Sequence, residues 1–139
     1  MNIDSIHNGV VLDHIQAGKS MDIYRYLHLD ELDCQVAIIK NAVSRKMGRK
    51  DIIKIDTALE PDLDLLGYVA PGVTIDIIRD GALSEKKTPE LPERIVGVIK
   101  CRNPRCITST EQELPQVFRL ADREKGIYRC LYCESMAKT

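Results

Sequence analysis

The sequence predicts an α+β chain in two parts. The first is a mostly antiparallel sheet with two helices on one face; the second is a small all-β module. Three observations point there. Between residues 9 and 83, short apolar runs with period-two alternation are interleaved with two helical periodicities. Four of the five cysteines then fall between residues 101 and 133. The stretch "SEKKTPELPER", residues 84–94, lies between the two patterns; its two prolines and run of charges read as a linker.

The elements follow in order. "GVVLDHI", residues 9–15, reads as a strand with an apolar run. "KSMDIYRYLHL", 19–29, places Ile23, Tyr24 and Leu27 near one helix face. "CQVAIIKNA", 34–42, reads as a buried strand in which Cys34 is a small hydrophobe. "SRKMGRKD", 44–51, is basic and turn-like, and "DIIKID", 51–56, is a further strand. "LEPDLDLLGYVA", 59–70, groups Leu59, Leu63 and Leu66 on a helix, with Pro61 near its start. In "PGVTIDIIRDGAL", 71–83, Val73, Ile75 and Ile77 share a strand face, and Asp80-Gly81 signals a hairpin. The order strand–helix–strand–strand–helix–strand is that of a ferredoxin-like sandwich. The expected domains are residues 1–91 and 97–139.

In the second part, Cys101, Cys106, Cys130 and Cys133 form a C-x4-C and a C-x2-C pair, twenty-three residues apart. Close thiols serve disulfides or a metal. The Met-Asn-Ile-Asp start carries no apolar secretory segment, so a reducing, cytoplasmic location is expected. Two chelating pairs of soft ligands suit one tetrahedral Zn(II). Iron–sulfur ligation favours a tighter run of cysteines, and "CLYC" alone would serve redox chemistry; both remain rivals. With all four ligands from protein, a zinc here is structural, one per chain. It also explains how a segment this short, with strands expected at "QVFRL" and "GIYRC", folds at all.

Charge excludes some functions. The chain carries formal net charge −1. Residues 1–96 hold 12 Lys/Arg against 16 Asp/Glu, and residues 97–139 hold 8 against 5. Four thiolates with Zn(II) bring the second part to about +1, weak support for a nucleic-acid reader. No G-x-G-x-x-G, P-loop or H-E-x-x-H occurs, and no nucleophile sits beside a base, so no catalytic residue is assigned. Asp13 and His14 adjoin at the exit of the first strand. Adjacent strand residues point to opposite faces, so they are not an evident dyad, and the plain alternative is a pair of surface residues. Lys54, between isoleucines, also reads as a snorkelling surface lysine, and Lys86 and Lys87 as linker charges. Together a histidine and several lysines offer cationic partners to an anionic ligand.

The stretches "GVVLDHI", "MGRKDIIKI" and "LPERIVGVIKC", with the ending "YRCLYCE", resemble the regulatory chains of aspartate carbamoyltransferase over essentially the whole length. The resemblance implies a non-catalytic subunit for pyrimidine biosynthesis. Its first domain would bind CTP, ATP and UTP; its zinc domain would dock on a separate catalytic chain. Regulatory homodimers would join catalytic trimers, three dimers to two trimers. By the same resemblance, Asp13 lies near the ribose, His14 near the phosphates, Lys54 near base and sugar, and Lys86 at the triphosphate. Ile6 would read the base through its backbone, with Ile3, Asp4 and Ser5 beside it. Two positions depart from the best-known members. Asp76 replaces an asparagine near the phosphates, and Gly81 replaces a tyrosine beside the base. An acid there opposes a triphosphate or holds an accompanying cation, which leaves nucleotide preference and the sign of the response open. The competing functions are a stand-alone nucleic-acid-binding zinc protein, a small enzyme, and a structural linker subunit without an effector response.

Overall fold

The computed structural model describes residues 6–137, so Ile3, Asp4 and Ser5 lie outside the described residues. The chain divides into two units, Met1–Glu90 and Leu91–Thr139. No helix among the described residues is long and apolar enough to cross a membrane.

The first unit runs β1 (Gly9–Gln16), α1 (Ser20–Tyr26), a 3-10 turn (Leu29–Glu31), β2 (Val36–Ser44), β3 (Gly48–Ile55), α2 (Leu63–Val69), β4 (Thr74–Arg79) and β5 (Ala82–Lys87). The sheet order is β2-β3-β1-β4-β5, antiparallel throughout. The first four strands and two helices make the expected sandwich; β5 is an addition. Residues 84–87 of it fall in the stretch that reads as a linker, because a polar edge strand has no buried face to produce an alternating pattern. The Asp80-Gly81 signal was a true hairpin: both residues take left-handed φ, 52° and 77°.

One sheet face carries Val10, Leu12, Ile53, Ile55, Ile75 and Ile77, all buried against Ile23 of α1 and Leu66 of α2. Gly9 is required where β1 enters: a Cβ there would lie 2.2 Å from the Ile55 carbonyl oxygen. Helix α2 begins later than the apolar pattern implied. Asp62 caps it, its carboxylate accepting from the Leu65 N–H at 3.1 Å. The later start leaves Leu63 exposed and buries Leu65 and Leu66. The basic turn is also shorter than expected, since β3 already starts at Gly48.

The second unit contains β6 (Arg94–Val96), α3 (Ile107–Thr110), β7 (Val117–Asp122) and β8 (Ile127–Cys130), with sheet order β6-β7-β8. Phe118 and Tyr128 form its small core. The Tyr128 hydroxyl donates to the Pro92 carbonyl at 2.6 Å, and the Leu120 N–H to the Glu93 carbonyl at 2.8 Å. Thus residues 91–94, also assigned to the linker, pack into this unit. Prolines tolerate such an extended edge position because no ladder hydrogen bond is asked of them.

Candidate functional site

The four sulfurs of Cys101, Cys106, Cys130 and Cys133 all lie within 4.8 Å of one another. Cys101 Sγ and Cys133 Sγ are 3.6 Å apart, and Cys106 Sγ and Cys130 Sγ 3.7 Å. These are not disulfides, whose sulfurs bond at about 2.0 Å. A tetrahedral zinc with metal–sulfur bonds of about 2.3 Å requires sulfur–sulfur edges of about 3.8 Å. The cluster therefore is positioned to hold one metal ion, with the spacing of a structural zinc site.

Local structure explains the convergence. Cys106 caps α3, and its N–H donates to the Asn103 carbonyl, closing the first chelating loop. The Cys101 N–H donates to Gln116 Oε1 at 3.0 Å. Cys130 ends β8, and the Glu134 N–H returns to its carbonyl at 2.9 Å. Thr108 Oγ1 lies 3.1 Å from Cys106 Sγ and Ser135 Oγ 3.2 Å from Cys133 Sγ, a polar second layer for the sulfurs. Without metal, Cys101 and Cys133 are shifted in opposite directions. Burial pushes Cys101 up to about 12, whereas the Ser135 hydroxyl draws Cys133 down to about 6. Four thiols this close require a cation to ionise together, so metal and protons compete.

The second candidate site is the helix-free face of the five-stranded sheet. Lys54 pairs with Val11, Val11 with Asp76, and Asp76 with Lys86, which sets these residues in one cross-strand row. At the usual strand spacing the row from Lys54 to Lys86 spans roughly 14 Å. Asp76 Oδ1 is buried without a hydrogen-bond partner.

Asp13 and His14 do not point to opposite faces. The β1–β3 register shifts between Leu12 and Ile15, and His14 takes φ 58°. This bulge inserts one residue. It returns Ile15 to the core and brings His14 to the face of Asp13, where His14 Nδ1 lies 2.5 Å from Thr74 Oγ1. Asp13 accepts from its neighbour's N–H at 2.6 Å and pairs with Lys50 Nζ at 2.9 Å. Burial pushes the Asp13 carboxyl up, but Lys50 and that N–H outweigh it and hold it below its ordinary value.

Ile6 stands apart from this group. Its side chain is buried, three residues ahead of β1. The next residue, His7, accepts the Gly81 N–H at 2.9 Å, and its ring lies 3.8 Å from where a Gly81 Cβ would be. The sequence reading missed Lys50 and Thr74. Lys50 was detectable in principle, because in β3 it shares a face with Lys54 by period two.

It also missed Asp51, on the opposite face of β3 and fully buried at 0 % exposure. Its carboxylate accepts from the Ser20 hydroxyl at 2.6 Å and from the N–H groups of Asn41, Gly18 and Ser20 at 3.0, 3.1 and 3.3 Å. Burial pushes it up, and those four donors more than compensate, leaving it below its ordinary value. Asn41, with φ 60°, is the bulge residue of β2, where the β2–β3 register shifts. One carboxylate thus clamps the β2 bulge and the β1–α1 turn.

The family described as "Aspartate carbamoyltransferase regulatory chain, allosteric domain" matches residues 1–90, and the "metal binding domain" of the same chain matches residues 93–139. An aspartate carbamoyltransferase regulatory chain of Clostridium botulinum is 52% identical over 98% of this chain and 93% of its own length. That of Bifidobacterium longum is 48% identical over 99% of each, and that of Clostridium tetani 45% identical over 99% and 96%. With both units matched in order and the metal-binding cysteines assembled, the chain belongs to the family of aspartate carbamoyltransferase regulatory chains, non-catalytic subunits with an allosteric domain and a metal-binding domain.

Proposed function

We propose that the helix-free face binds a nucleoside triphosphate, CTP, ATP or UTP, and conveys its presence to a catalytic chain held by the zinc unit. The supporting observation is the convergence on one open face of Lys54, Lys86, Asp13 with Lys50, and His14 with Thr74. Lysine ammonium groups neutralise phosphate, and carboxylate and imidazole accept or donate to sugar hydroxyls. Ile6, three residues ahead of β1, would read the base through its backbone. The first unit is the allosteric domain in this reading, and the zinc unit the docking domain. The edge of β2, unpaired among the described residues, offers a route to the regulatory homodimer, and three such dimers would join two catalytic trimers.

Asp76 favours a second reading. A carboxylate between two lysines in the row partly cancels the field a triphosphate needs. A chain with that site weakened would be a structural linker subunit. Carbamoyl transfer by the reconstituted complex, measured against aspartate concentration with and without CTP and ATP, separates the two. The allosteric reading requires a nucleotide-dependent shift of the wild-type curve, which Lys86→Ala reduces; loss of one charged contact corresponds to roughly ten- to a hundred-fold in nucleotide affinity. No shift in wild type refutes it and leaves the linker. Identical shifts in both proteins refute the role of Lys86.

A further inference from the structure

The outer face of the small sheet carries a feature that the metal does not explain. Arg94 of β6 pairs directly with Arg119 of β7, and Arg119 directly with Arg129 of β8. Three guanidinium groups therefore stand side by side in one cross-strand row. Like charges directly opposite one another destabilise a sheet. Folding alone gives no reason to stack three.

Compensation within the unit is slight. Glu134 meets Arg119 at 3.1 Å through its carboxylate, but both side chains are well exposed, and such a pair contributes little. Arg129 reaches only the Glu134 carbonyl, at 3.0 Å. Arg94 is exposed and makes no ion pair among the described residues. The same face is also apolar. Val96 lies two residues beyond Arg94, Leu131 two beyond Arg129, and Met136 bridges to Arg129. Their exposures are 59%, 39% and 54%. Exposed aliphatic side chains bordering a row of arginines have the composition of a protein interface.

We propose that this arginine ladder is a docking surface for an acidic, partly apolar segment of the catalytic chain, with carboxylates spaced to meet successive guanidinium groups. The inference rests on the reading that the zinc unit holds the catalytic chain, and adds which face does so and by what chemistry. Charge complementarity selects the occupant. A planar guanidinium takes a carboxylate in two parallel hydrogen bonds, and a row at strand spacing fits carboxylates presented by an extended segment. Cys130, one of the four cysteines positioned for the metal, ends β8 one residue after Arg129, so metal binding would anchor that end of the ladder.

The test uses the full zinc-loaded chain and the purified catalytic chain of the same organism, with affinity measured over a salt series. Wild-type affinity should fall as salt rises. Arg94→Glu with Arg119→Glu should weaken binding by roughly a hundred-fold and flatten the salt dependence. Lys125→Glu, at the β7–β8 turn, should bind as wild type. Zinc content reports whether each variant is folded; should the double reversal lose its zinc, Arg94→Gln with Arg119→Gln takes its place, with about a ten-fold loss expected. Wild-type affinity in the zinc-loaded double variant overturns the ladder and leaves the docking reading standing. A change confined to self-association or to nucleic-acid retention also overturns it, by assigning the face to another occupant. Failure of the wild-type chain to bind the catalytic chain at all overturns the docking reading itself.

Discussion

Replacing Asp51 with alanine should destabilise the first unit severely, although Asp51 touches no ligand candidate. The carboxylate is fully buried and takes four donors: the Ser20 hydroxyl and the N–H groups of Ser20, Gly18 and Asn41. A hydrogen bond to a charged acceptor contributes about 1.5–3 kcal/mol. The four are not additive, and water entering the gap would satisfy part of the loss, so a cost of about 4 kcal/mol is expected. That is a large fraction of the 5–15 kcal/mol typical of a whole domain. Urea unfolding followed by hydrogen exchange on peptides of residues 36–55 isolates this unit from the other. The pH dependence supplies an independent check. The folded pKa of Asp51 lies below its ordinary value, so below about pH 4 the unfolded chain binds the proton more readily. The stabilisation is complete above the unfolded pKa and is lost as pH falls through the folded one. Wild type should lose stability across that window, and Asp51→Asn should lack this component of the slope. An unchanged urea midpoint in Asp51→Ala, or identical acid profiles for wild type and Asp51→Asn, would refute the clamp.

Other outcomes follow from the same geometry. Cys130→Ser should lose the metal and unfold the second unit while β1–β5 persist; one metal per chain measured in the variant would refute the ligand assignment, since folding of such small units is driven by the metal. Metal retention should also weaken as pH falls, because protons compete for the four sulfurs, and a titration with a chromogenic chelator reads this directly. Gly9→Ala should cost about 1–3 kcal/mol, because its Cβ would lie 2.2 Å from the Ile55 carbonyl oxygen and β1 must shift; thermal unfolding checks it. Thr74→Val removes the partner of His14 Nδ1 at little cost in volume, and the nitrogen chemical shifts of the His14 ring should show an altered tautomer balance with the sheet intact.

The sequence by itself determined the alternating elements of the first unit, the Asp80-Gly81 hairpin and the metal cysteines. Each is local: apolar period, left-handed turn residues and chelate spacing are all written within a few positions of one another. It also carried the resemblance that the family matches bear out. It did not disclose β5, because an exposed edge strand buries no stripe, nor β6, whose pairing partner lies more than twenty residues further on. Only the tertiary structure decided that Asp13 and His14 share a face, since one inserted bulge residue inverts every alternation beyond it. Only the structure showed Asp51 as a buried clamp, because its donors come from two segments remote from it in sequence, residues 18–20 and Asn41. The arginine ladder is of the same kind. Arg94, Arg119 and Arg129 are unrelated in spacing, and strand register alone makes them one row of like charge.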